Sequence, residues 1–141
     1  MDSKKFLIGG IVGGIAYFLL GWLAYGMLLT DFYAKNAGTA TGVAKDPKEM
    51  IYWALVLGNF AGGFLMAYVF SKAKIASAAA GAATGAVLGL LITAMYDFIM
   101  YGTANIMNMT GLCADLATST VLSAIVGAIV GFVMGMGKKA S

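Results

Sequence analysis

The chain has 141 residues, 61% of them hydrophobic and only 11% charged, with a mean hydropathy of +0.89 and a formal charge of +3. Soluble domains carry about 25% charged residues, so these values exclude an ordinary soluble fold and leave no room for a separate catalytic or nucleic-acid-binding domain. The single cysteine, Cys113, excludes an intrachain disulfide, and the lack of any His removes the usual zinc, copper and haem ligand sets and the Ser-His-Asp triad.

Four apolar runs, near residues 6–29, 50–70, 75–101 and 112–136, each reach the roughly 20 residues that a transmembrane helix requires. They predict an all-α fold, a four-helix transmembrane bundle forming one integral membrane domain over residues 1–141. Lys4 and Lys5 precede the first run, Lys72 and Lys74 join the second to the third, and Lys138 and Lys139 follow the fourth. The positive-inside rule assigns those three places, and so both termini, to the cytoplasm. On the other side, Lys35, Lys45 and Lys48 are balanced by Asp31, Asp46 and Glu49. The basic bias therefore reports topology, and the lipid bilayer is the partner it implies; no nucleic-acid partner, cofactor or metal is expected.

The first run has the basic start of a signal peptide, but it exceeds the length of an h-region and no small-residue cleavage pattern follows, so it reads as a retained span. Within it Gly9, Gly13, Tyr17, Gly21 and Tyr25 fall at a spacing of four, beside a second row of Gly10 and Gly14. Trp22, Tyr25, Phe32 and Tyr33 gather at its outer end, where amphipathic rings serve as interface anchors. In the loop that follows, Asp46, Pro47 and Glu49 resemble a capped helix start, which places the beginning of span two there. Its interior carries Asn59.

The link SKAK between spans two and three is very short and predicts that these helices are antiparallel neighbours. Span three opens with residues that have almost no side chain and then carries a row of Ser77, Gly81, Gly85, Gly89, Thr93, Asp97 and Tyr101. Asn105, Asn108 and Thr110 are available to cap span four, whose row reads Asp115, Ser119, Ser123, Gly127, Gly131 and Gly135. Residues four apart share a helix face, and small residues at that spacing let two backbones approach closely in a membrane. If the spans are antiparallel, the two rows meet along their length and Asp97 lies level with Asp115. Spans one and three also align at a shift of 71, with Gly14 on Gly85 and Tyr25 on Tyr96, the pattern of a duplicated helical hairpin.

Asp97 and Asp115 are the acids that fall within or at the ends of the apolar spans, and an ionisable group at membrane depth marks a functional-site hypothesis. Counting about 20 residues of crossing helix from the flanking lysines puts both near the outer boundary, where they would touch water or headgroups, cap helix ends and hydrogen-bond to Tyr25 or Tyr101. The bolder alternatives are one proton shared by the two acids or a cation site completed by Thr93, Ser119 and Tyr101. With Asn59 and Tyr25, these residues would line a vestibule open outwards. Packing is the expected role of Gly9, Gly13, Gly81, Gly85, Gly89, Gly127, Gly131 and Gly135.

The run GWLAYGML closing span one, the run GAVLGLLITAMYDF in span three and the following acid at Asp115 resemble small four-span bacterial membrane families of unknown function. Members have a Trp/Tyr-Gly motif ending the first helix and a Tyr-Asp in the third; here Met27 follows Gly26 where proline is usual. The resemblance covers most of the chain. It implies the four-span fold and a bacterial inner membrane, and assigns no activity.

These features favour a non-enzymatic membrane protein that acts by helix packing, as a homo-oligomer or an accessory subunit of a larger membrane complex. The alternative is a small carrier or channel whose outward vestibule takes a proton, a cation or a small amphiphile.

Overall fold

The computed structural model describes residues 2–137, and Lys138 and Lys139 of the charge bias lie outside the described residues. Helix α1 spans Ser3–Leu23 and runs on through a π-helical turn, Ala24–Leu28, followed by the short helix α2, Thr30–Lys35. Helices α3 (Tyr52–Ala73), α4 (Ala78–Thr103) and α5 (Met109–Gly135) complete the described helices apart from a 3-10 turn at Pro47–Glu49. The continuous helix Ser3–Leu28, with α3, α4 and α5, gives four helices long and apolar enough to cross a membrane.

Local chemistry sets the helix ends. The Asp2 side chain accepts from the backbone N–H of Lys4 at 3.0 Å, Ser77 accepts from Ala80 at 3.2 Å, and Asn108 accepts from Gly111 at 2.8 Å, each satisfying a donor that the first helical turn leaves open. Lys74 ends α3 in the left-handed conformation at φ 58°. Span two begins later than its sequence suggests. Asp46 makes no side-chain cap, Pro47–Glu49 closes only one 3-10 turn, and the helix starts at Tyr52 because Met50 and Ile51 remain outside helical geometry.

The helices form two hairpin-like pairs, α1 on α3 and α4 on α5, joined through α1 against α5. Added Cβ atoms at Gly81, Gly85, Gly127 and Gly131 would each strike backbone of the facing helix: Gly81 meets Gly127, Gly85 meets Ser123, and Gly131 meets Ser77. Backbones at this separation gain dispersion contacts that lipid cannot match. In the other pair, a Cβ on Gly13 would lie 3.0 Å from Gly63 Cα and 3.0 Å from Val130 Cγ2, while Gly9 faces Met134 and Ala67. A Cβ on Gly14 would meet Phe60 of α3, chiefly its ring, where one on Gly85 would meet the Ser123 backbone of α5; the 71-residue shift aligns these two positions. A core of Met66, Ala67, Phe70, Val126, Val130 and Met134 fills the junction.

The expectation that spans two and three are neighbours is corrected. Helices α3 and α4 do not pack along their lengths. The left-handed Lys74 and the extended Ser77 let the short link swing α4 away, so α4 reaches the bundle through α5. The gap that results is where the principal cavity lies.

Candidate functional site

The π-turn of α1 decides the geometry of the site. Leu29 N–H bonds to Ala24 C=O at 2.8 Å, one residue wider than an α-helical bond, and such turns occur mostly as single bulges that re-aim side chains. They often lie at functional sites. This one contains Tyr25, in the run GWLAYGML. The Tyr25 hydroxyl donates to Asp115 Oδ1 at 2.5 Å and lies 3.1 Å from Ser119 Oγ. The neighbouring Tyr33 ring sits 5.3 Å from that of Tyr25, and its hydroxyl donates to Thr118 Oγ1 at 3.2 Å. Burial pushes the Tyr33 phenol up from its ordinary value. Tyr25, expected both as an interface anchor and as a hydrogen-bond partner of the acids, therefore links the first long helix to α5, and Tyr33, expected as an anchor, links α2 to α5.

Asp97 is 1% exposed, and its Oδ2 is buried with no hydrogen-bond partner. The facing rows of α4 and α5 meet in register, Gly81 on Gly131, Gly85 on Gly127 and Gly89 on Ser123, and the same register sets Asp97 opposite the half-buried Asp115. Solvation by water or headgroups, expected from the depth count, does not describe Asp97. Depth along a helix says nothing about which side of it is covered, and here α5 covers the face that bears Asp97. A lone buried charge costs several kcal/mol, so this carboxyl requires either a proton or a partner cation.

Beside the acids lies a cavity of about 650 Å³ bordered by all four long helices, with Pro47 and Met50 of the long loop at its edge. Tyr17 and Ser123 mark its polar floor, their hydroxyls 2.8 Å apart. Asn59 lines it as well; its Nδ2 donates to Leu55 C=O at 2.7 Å, and its Oδ1 lies 4.0 Å from where a Cβ on Gly21 would sit. Thr93, Ser119, Tyr25 and Tyr52 complete the hydroxyl set, and the remaining wall is largely apolar, including Phe18, Met66, Leu88 and Ile92.

Two adjoining places thus receive the residues singled out in the sequence. Asp97 and Asp115 form the acid pair, Asn59 and Thr93 line the cavity, and Tyr25 and Ser119 belong to both. Tyr101 joins neither: it is 42% exposed at the far end of α4. Among the described residues no three His, Cys, Asp or Glu side chains group as a metal site. Tyr17 and Ser123 were legible as members of small-residue rows, but nothing in either row marks them as a hydrogen-bonded pair.

The loops close over the same end. Asn36 C=O accepts from Asn108 N–H at 3.1 Å, Asn105 C=O accepts from Ala40 N–H at 2.8 Å, and Gly38 adopts φ 77° against Asn105. That conformation and that approach are both open to glycine alone.

No protein-family model matches the chain, and no curated protein or solved structure matches it. Function is therefore argued from the chemistry of the cavity and the acid pair.

Proposed function

We propose that this chain is a non-enzymatic integral membrane protein that holds an uncharged single-chain amphiphile, with its head hydrogen-bonded and its chain along the apolar wall. The observation that carries this reading is the cavity itself. At about 650 Å³ it falls within the size range of ligand sites, roughly 300–1,000 Å³. Its lining has no charged side chain, so an ionic head would go unpaired, whereas the hydroxyls of Thr93 and Ser119 and the amide of Asn59 suit an alcohol or ester head. The unpacked side between α3 and α4 offers entry from the bilayer. Carrier action, with the cavity open outwards, would extend this binding role.

The lysine bias supports cytoplasmic termini, and the resemblance at GWLAYGML and AMYDF supports a bacterial inner membrane. Assembly into a homo-oligomer or a larger complex has less to draw on. Gly81, Gly85, Gly89, Gly127, Gly131 and Gly135 meet backbone or side chains of their own chain, as do Gly9 and Gly13. The Gly-rich seams act within one copy, and association would use the aliphatic outer faces.

The test is native mass spectrometry from detergent in the presence of monooleoylglycerol. The wild type should retain one molecule per chain, and Thr93→Trp, which fills the cavity, should retain none. Wild-type protein that emerges empty, or a Thr93→Trp variant that binds equally well, overturns the reading.

A further inference from the structure

We propose that Asp97 and Asp115 form a proton-binding site that holds one proton between two carboxyl groups, and that Ser119 and Tyr25 connect this proton to the cavity. The site stands on the acid geometry; its connection to the cavity rests on the reading of the cavity as a ligand site.

Two carboxylates that face each other repel, and one of them here has an oxygen sealed from solvent with no donor. A single proton on either acid removes the repulsion, halves the charge and supplies the missing donor. The ionisable side chains that face the pair are Tyr25 and Tyr33 from the first span and the helix after it. Both are phenols that carry no positive charge. Among the described residues no lysine is paired with either acid and no third metal ligand is at hand, which favours a proton over a metal cation.

The hydrogen bonds around Tyr25 have a fixed direction. Its one hydroxyl proton goes to Asp115, so in the 3.1 Å contact with Ser119 the serine must be the donor. Both Ser119 and Tyr25 line the cavity, while neither acid does. The chain therefore runs from cavity to acid with every donor pointing the same way. A protonated water entering the cavity can give a proton to Ser119 Oγ as Ser119 gives its own to Tyr25 and Tyr25 gives its own to Asp115, leaving a neutral water behind. Each hydroxyl gains one proton and passes one on, so the net transfer is one proton from the cavity to the acid pair.

The experiment is infrared spectroscopy of the full chain in lipid nanodiscs, following the protonated-carboxyl C=O band across pH and after transfer to D2O. The wild type should show this band at neutral pH. Asp97→Asn should lose it, because no second carboxylate then faces Asp115, which keeps its Tyr25 donor. Tyr25→Phe removes that donor and should raise the pH midpoint of the band by about one unit. Ser119→Ala should leave the midpoint in place and slow deuteration of the band about tenfold. No band in the wild type, or one that survives in Asp97→Asn, overturns the shared proton. Unchanged deuteration in Ser119→Ala overturns the connection to the cavity. Failure to retain monooleoylglycerol with the band intact rejects the cavity reading and leaves the proton site standing.

Discussion

The Tyr25 hydroxyl donates to Asp115 Oδ1 at 2.5 Å, joining residues 90 positions apart through a π-turn that a regular helix would not provide. This bond ties the C-terminal end of the first long helix to α5 and places a neutral donor on an acid that faces a buried acid. A hydrogen bond to a charged group contributes about 1.5–3 kcal/mol. Tyr25→Phe should lower the stability of the bundle by an amount in that range, measured by unfolding in mixed micelles. Tyr101→Phe, which alters an exposed ring outside the site, should remain within about 0.5 kcal/mol of the wild type. Equal losses in the two variants would contradict the role given to Tyr25.

Close approach of α4 and α5 makes a second demand. A Cβ on Gly127 would fall on the Gly81 backbone carbonyl, which cannot rotate away as a side chain can. Overpacking typically costs about 1–3 kcal/mol, and Gly127→Ala should lie at the upper end of that range. Gly58→Ala places its methyl in open space and should instead stabilise α3 by about 0.5–1 kcal/mol, the helical penalty of glycine. The same unfolding series checks both signs.

Tyr17 and Ser123 allow a coupling measurement. Ser123 is 4% exposed and lies 2.8 Å from the Tyr17 hydroxyl, so Tyr17→Phe strands a buried hydroxyl at a cost of about 1–3 kcal/mol. Ser123→Ala added to Tyr17→Phe removes the stranded group. The double variant should recover much of the loss, giving a coupling of about 0.5–3 kcal/mol in a double-mutant cycle. Strict additivity would show that the two hydroxyls do not depend on each other.

Asn108 caps α5 and, through its Nδ2, donates to Asn36 Oδ1 at 2.9 Å. Asn108→Ala removes both bonds. Loss of an N-cap costs about 0.5–2 kcal/mol, and the amide of Gly111 should exchange with deuterium faster than in the wild type while amides near Gly127 keep their protection. Exchange that rises evenly along α5 would point to general unfolding instead.

Much of this structure is determined by the sequence alone because its causes are local. Apolar length specifies four helices long enough to cross a membrane, Ser77 and Asn108 cap two of them, and the spacing of four in Gly81, Gly85 and Gly89 and in Gly127, Gly131 and Gly135 specifies which faces can approach. Only the tertiary structure decides the order of helices around the bundle. These helices are apolar on every side, so hydrophobic periodicity does not single out a buried face beyond the glycine rows, and a short link such as SKAK constrains where α4 begins without making it pack on α3. The cavity follows from that arrangement, since a helix pair that does not close leaves space between its members. The acid pair follows too. Asp97 and Asp115 can be placed level by counting residues, but whether Asp97 meets solvent or the inside of the bundle depends on the neighbours that cover it, and the π-turn that delivers Tyr25 depends on bonds its sequence does not announce.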